Sequence, residues 1–541
     1  MTSKSKVWKN RFWQDENWQS GTHRIVFVIC AACLSFYFSY LFFLARSPIF
    51  LSAWKTAASL LGFAAFSVLL FIGLCFGCYY WSQLLKKKPV IITWQKGSLG
   101  FFAVSMAVSL FLLGISFAAA YPGAVSYDHY NQWMQMQSGQ LNSWHPVFHT
   151  LLLWLGAQMS GSYPGVVALQ LVCFSVALAY LMETLRRLKI SKVFLLVLQG
   201  LIVTTPLVEG VMVGVGKDNA TTIGITLLCA QAIHIYFSKG EWLLKKRNVI
   251  VFGGTLAFTT LVRHNAFFLT GPLFLCALLS GKAQRGRILW AGGVWAMCMW
   301  LVTGPLYGAL DIVKPNNLFG ESIGIPMTIL CDTRMEAPEK LDEETRAFLE
   351  TLLPEEVFQE KYDLHRYNSI KFEWPMEFIT YESPQKLFQM TLRTIRNNPR
   401  GAFETYNAVT DLAWGIDGQN EGFDAGKNSG DLDEYTYTNT RLNQLGKSVK
   451  NWTSMPHTLS GMKWVFQNIG VQMAFLLLCG LGALYRNGTR ALMLCLPVLI
   501  YNLGTMLLLC GNDARFFQFV MVVAIPLMLA LWRTPGDTQA E

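Results

Sequence analysis

Apolar stretches separated by short polar connections recur along almost the whole chain. They fall at residues 25–45, 58–82, 99–120, 164–185, 194–215, 219–238, 249–262, 266–280, 288–308, 463–484, 491–510 and 516–532. Most approach the length of about 20 residues that a helix needs to cross a bilayer. Lipid offers backbone groups no hydrogen-bond partners, so such segments must close their own bonds as helices. The pattern predicts an all-α polytopic membrane protein with about twelve transmembrane helices.

Some apolar pieces are shorter. Residues 147–160 are too short to span easily, and counting them would upset the alternation of basic loops. They read as an interfacial or re-entrant helix on the outer face. Segment 249–262 rises only about 21 Å against a hydrocarbon core of about 30 Å, and 266–280 is similar. Their shared tip, Arg263-His264-Asn265, is therefore expected below the outer surface, with protein or water around it.

From 309 to 462 the apolar pattern gives way to a hydrophilic, mostly helical extracytoplasmic module. Ser383-Pro384, then Leu387, Met390 and Ile395, then Asn397-Asn398-Pro399, reads as one capped helix with a clear stop. Leu341 to Leu353 and Ala402 to Trp414 also read as helices. Asp417 to Asp433 is rich in Gly, Asn and Asp and reads as a loop; its composition resembles calcium binding, but the spacing of an EF-hand is absent.

Charge sets the orientation. Lys86-Lys87-Lys88, Arg186-Arg187, Lys245-Lys246-Arg247 and Lys282 to Arg287 occupy alternate connections, and Arg486, Arg490 and Arg533 continue the series. Under the positive-inside rule these face the cytoplasm, with both termini inside. The expected organisation is a cytoplasmic N-terminus (1–24), a transmembrane region (25–308) with an outer catalytic loop at 121–163, the outer module (309–462), C-terminal transmembrane helices (463–532) and a cytoplasmic tail (533–541). The first apolar stretch lacks a small-residue cleavage site and reads as an anchor rather than a removed signal.

Composition agrees. Hydrophobic residues make up 52% of the chain and charged ones 14%, where a soluble protein carries about a quarter charged. The net charge of +10 sits in the cytoplasmic loops, so membrane lipids, and no nucleic acid, are the expected partners. Most of the 12 cysteines lie in apolar spans at irregular spacing. Cys75 and Cys78 have no second pair to complete a zinc or redox site, and a bridge between Cys331 and Cys510 is left open.

Of the 34 acidic residues, 24 lie in the outer module. Four of the remaining ten, Asp128, Glu209, Asp218 and Asp513, fall at the outer membrane face, level with His145, Lys217, Arg263 and Arg515. Ionisable groups are costly in a bilayer, so a cluster drawn from distant stretches of sequence is a functional-site hypothesis. Asp128 has no basic neighbour in sequence; it reads as a general base toward a hydroxyl, as a solvated loop residue, or as the N-cap of a helix that begins at His129. His145-Pro146 precedes the short interfacial helix, and His149 could share the face of His145. Lys217-Asp218-Asn219 reads as a site element or as an ion-paired turn. Glu209 lies one or two turns below that tip. Arg263 and Arg515 can present a fork to phosphate oxygens. One such arginine would merely snorkel; several at one level point to an anionic substrate.

These elements resemble the GT-C superfamily of integral membrane glycosyltransferases. The resemblance rests on Y-P-G-x-x-S-Y-D ending at Asp128, Gly139, W-H-P at 144–146, Lys217-Asp218, Arg263-His264-Asn265 and Asp513-Ala514-Arg515-Phe516, the last three being similar to an uncharacterised bacterial branch. It implies a polyprenyl-phosphate sugar donor, a hydroxyl acceptor such as a cell-envelope glycan, and a site on the outer side of a bacterial plasma membrane. In that frame Asp128 removes the acceptor proton with inversion at the anomeric carbon, and His145 orients the acceptor or Asp128. Lys217, Arg263 and Arg515 bind the phosphate, Asp218 and Asp513 position Lys217 and Arg515, and His264, Asn265 and Glu209 complete the substrate site. Two extra spans precede the Asp loop, where many relatives have one span in all. The loop also lacks the D-D or D-E pair of some protein-glycosylating members, so a divalent metal is left open and no cofactor is assigned. The rival readings are a polymerase or ligase of polyprenyl-diphosphate glycans and a transporter of an anionic solute or lipid. No internal repeat of the kind transporters carry is visible.

Overall fold

The structure, a computed structural model, describes residues 12, 15, 17, 18, 20–43, 53–86, 97–315, 319–365, 367–371, 373, 384–416 and 440–535. Every regular element among them is helical, and extended backbone pairs only at two isolated bridges, Ala124 with Gly214 and Asn142 with Val313. The expected loop from Asp417 to Asp433 lies outside the described residues.

Among the described residues, eight helices are long and apolar enough to cross a membrane: Gly21–Phe42, Leu60–Leu84, Leu99–Ala120, Tyr163–Arg187, Lys217–Phe237, Arg285–Ala309, Ile469–Asn487 and Ala514–Leu531. The chain is a multi-pass membrane protein. The expected span 194–215 is not one helix. It divides into Lys192–Val203 and Pro206–Met212, bent by 66° to each other. Pro206 has no N–H to continue the helical ladder, and the Thr204 hydroxyl folds back onto the Gly200 carbonyl at 2.9 Å. The remaining expected spans correspond to shorter helices, Lys246–Val262, Phe267–Ser280 and Leu496–Met506.

Lys217–Phe237 is buried on all sides, between Tyr163–Arg187, Lys246–Val262 and Ala514–Leu531. Its polar residues are tolerated because their hydroxyls bond within the helix, Thr221 to the Lys217 carbonyl at 2.8 Å and Thr222 to that of Asp218 at 2.9 Å. Side chains bonded in this way need no water. This central helix, the most buried of the spans, begins at Lys217 and so carries that lysine at its first turn.

In the expected outer module, the helices are Gly324–Glu336, Glu343–Leu352, Pro384–Asn397 and Pro399–Trp414. The Gly324–Glu336 and Glu343–Leu352 helices share a core in which Met327, Leu330, Leu349, Phe358 and Leu387 are buried together. Cys331 and Cys510 meet in that cluster with no disulfide between them, so the bridge left open by the sequence is not formed. Helix Arg441–Thr453 belongs elsewhere: it packs on Leu99–Ala120, where Gly446 lies against Ala118 and Ala119.

Candidate functional site

Asp128 owes its position to a local cap. Ser126 accepts from the His129 N–H, and the His129 ring reaches back to the Ser126 N–H at 3.3 Å, so the helix starts at Tyr127. Asp128 is therefore in the first turn of Tyr127–Ser138 rather than its cap, where the helix dipole favours a carboxylate. His129 lies in turn against the 214–216 backbone. A Cβ at Gly214 or Gly216 would sit 2.7 or 2.8 Å from its ring, which reserves both positions for glycine. Sequence reading missed His129, although its place beside Asp128 was the available signal.

His145 ends the following loop, and Pro146 opens the helix Val147–Ser160. The Lys217 ammonium donates to His145 Nδ1 at 2.9 Å and to Asp128 Oδ2 at 3.2 Å. His145 therefore accepts through Nδ1 and is neutral. His149 does not join it: its Nδ1 meets Gln132 Oε1 at 3.1 Å, and Gln132 donates to Thr150. That buried network ties the interfacial helix to the Asp128 helix.

Arg515 closes the other side. Its NH2 lies 3.6 Å from Asp128 Oδ2, its Nε 2.7 Å from Asp513 Oδ2, and Asp218 Oδ2 is 3.9 Å away. Asp218 pairs directly with Arg263, so it positions that arginine rather than the adjacent Lys217 that the sequence had assigned to it. Arg263 also donates to Asn265 at 2.8 Å, and Asn265 is held by Thr505. The guanidinium carbons of Arg263 and Arg515 lie 5.0 and 5.1 Å from the Phe516 ring centre, a cation–π arrangement that fixes two forks side by side. His264, on the same tip, is exposed.

Three cations and three carboxylates are thus interleaved: Lys217, Arg263 and Arg515 with Asp128, Asp218 and Asp513. The Asp218 side chain is 6% exposed, those of Asp128 and Asp513 29% and 31%, so the network opens at Asp128 and Asp513 and closes at Asp218. The 309–462 region braces both rims. Asn512 donates to the His365 carbonyl at 2.7 Å and to Asp411 at 3.2 Å, while Lys371 lies over the Trp144 ring beside His145. Glu209 is not part of the network. Its partners are Lys450 at 3.1 Å, Ser116 and Ser454, which join the bent helix pair to Arg441–Thr453.

Burial, then the Lys217 charge, pushes His145 down to about 3; burial pushes His149 to about 3 and His129 to about 4. An unfolded chain takes up these protons from about pH 6.5 downward, whereas the folded chain resists until about pH 4. Stability is therefore complete above pH 6.5 and declines as the pH falls, by about 1.4 kcal/mol per unit for each histidine involved. Thermal unfolding should show Tm dropping between pH 7 and pH 5, with a shallower slope in His149→Gln. A Tm unchanged over that range would mean that these rings are not held neutral. Burial would raise the Asp128 carboxyl, but the Lys217 and Arg515 charges outweigh it and hold it well below the usual carboxylate range. Its contribution to stability is present above about pH 4 and lost below.

Among the described residues no three His, Cys, Asp or Glu side chains form a metal-binding group. Comparison with known protein families, with curated proteins and with solved structures finds no match for this chain.

Proposed function

We propose that this membrane protein transfers a sugar from a polyprenyl-phosphate donor to an acceptor hydroxyl at the extracytoplasmic face, in a twelve-span arrangement with both termini inside a bacterial plasma membrane. The observation that carries the reading is the Asp128–Lys217–Arg515 contact, with His145 on the lysine and Arg263 beside the arginine. It brings a carboxylate, an imidazole and three cations together from five separate stretches of chain.

The acceptor oxygen attacks the anomeric carbon and the bond from that carbon to the phosphate oxygen breaks. Polyprenyl phosphate leaves, and the acceptor proton passes to Asp128. The fork of Arg515, with Arg263 and Lys217, receives the charge that develops on the leaving phosphate. Neutral His145 accepts from Lys217 and so directs the ammonium. In the resting site Asp128 is a weak base because Lys217 and Arg515 hold its carboxylate. Donor phosphate recruits those cations, and Asp128 then gains basicity only when a donor is bound.

The test is turnover by purified protein in lipid discs, offered a panel of polyprenyl-phosphate sugars and cell-surface acceptors. Polyprenyl phosphate should appear in step with glycosylated acceptor. The acid limb of kcat, which reports the bound complex, should lie at higher pH than that of kcat/KM, which reports the free enzyme. Coincident limbs would show that donor does not draw the cations from Asp128. Absence of release with every donor and acceptor would sink the transferase reading. One observation favours a second reading: broken helices mark many transporters, and Glu209 sits just past the 66° bend. Uptake of an anionic solute or lipid by proteoliposomes, without chemical change, would establish transport instead.

A further inference from the structure

Residues 435–512 contain no Asp or Glu, although residues 309–434 carry 24. The first helix of that acid-free stretch, Arg441–Thr453, has three distinct flanks. One faces the protein: Asn443 donates to the carbonyls of Ala118 and Tyr121 at the end of the Leu99–Ala120 span, Gly446 sits on Ala118 and Ala119, and Lys450 reaches Glu209. A second flank is polar and exposed, with Gln444, Lys447, Ser448 and Asn451. The third is apolar and equally exposed: Leu442, Leu445, Val449 and Trp452 follow one another at helical spacing, with Leu445 64% and Trp452 80% accessible. Met455 and Leu459 extend it.

Scattered exposed leucines need no explanation, but a contiguous apolar strip ending in an open tryptophan does. We infer that this flank is seated in the lipid leaflet at the site-bearing end of the spans, with acyl chains against Leu442, Leu445, Val449 and Trp452 and anionic headgroups at Arg441 and Lys447. Two observations select lipid as the occupant. The helix is bonded to the end of a span whose own Phe111 is exposed, so the strip continues a lipid-facing surface. It is also basic and free of acids where the rest of the hydrophilic region is strongly acidic, which is the composition of an interfacial amphipathic helix. The Lys450–Glu209 pair then couples this lipid-seated helix to the bent pair of helices beneath it.

The experiment places a photo-crosslinking benzoylphenylalanine at Trp452, at Leu445 or at Ser448 in the full chain, in discs of mixed phosphatidylcholine and phosphatidylglycerol. Lipid adducts are expected at 452 and 445 and should be lost at 448. Phosphatidylglycerol should be enriched in the adducts over its share of the disc, and Arg441→Gln with Lys447→Gln should abolish that enrichment. Cross-links from 452 to a second copy of the chain, or no lipid adduct at either apolar position, would overturn the inference. Adducts without enrichment would overturn the headgroup contact. The two apolar probe positions guard against one of them disturbing the fold.

Discussion

Replacing Asp128 by Asn should lower transfer by about 10²–10⁴-fold, the usual contribution of a positioned general base, while donor binding persists or tightens. Asn keeps the shape and loses the proton acceptor. It also frees Lys217 and Arg515, which lie 3.2 and 3.6 Å from the carboxylate and would no longer be shared with it. A fall in kcat with KM unchanged or reduced is the expected pattern, because the lost interaction belongs to the transition state and the released cations favour the ground state. Donor affinity is measured separately, by binding of a non-transferable polyprenyl phosphate. Full turnover by the variant would remove Asp128 from the chemistry. Loss of donor binding together with turnover would instead make it a structural counter-ion for the two cations.

The convergence of Asp128, His145, Lys217, Arg263 and Arg515 was legible in the sequence because apolar surroundings make each ionisable residue conspicuous. The all-helical, multi-pass fold was legible for the same reason: span-length apolar runs leave the backbone few alternatives. Pair identities were not legible. Asp218 is adjacent to Lys217 in sequence, yet in the helix Lys217–Phe237 consecutive residues point about 100° apart, so the lysine turns to Asp128 and the aspartate to Arg263. Glu209 shared a level with the cluster but turns to Lys450, Ser116 and Ser454 instead, and level alone says nothing about azimuth. The bend had a visible signal in Pro206, outweighed in the reading by the apolar run on both sides. The seat of Arg441–Thr453 on Leu99–Ala120 depends on contacts more than 300 residues apart in sequence. Only the missing acids of 435–512 hinted at it.

Arg263→Ala should be the most destabilising single change in the site. It removes the direct partner of Asp218, whose side chain is 6% exposed, and leaves that carboxylate facing Arg515 at 3.9 Å. Breaking a buried ion pair from one side costs about 3–5 kcal/mol, because the remaining charge is stranded. Removing both charges strands nothing, so Arg263→Ala combined with Asp218→Asn should recover a large part of that loss. Thermal unfolding of the two variants in one detergent decides the matter: Tm of the double variant should lie clearly above that of the single one. Activity should separate from stability in the same pair. In the proposed reaction Arg263 serves the leaving phosphate as well as Asp218, so the double variant should remain folded and still turn over slowly. If restoring stability restored full activity, Arg263 would be a scaffold for Asp218 and the phosphate would belong to Arg515 and Lys217 alone.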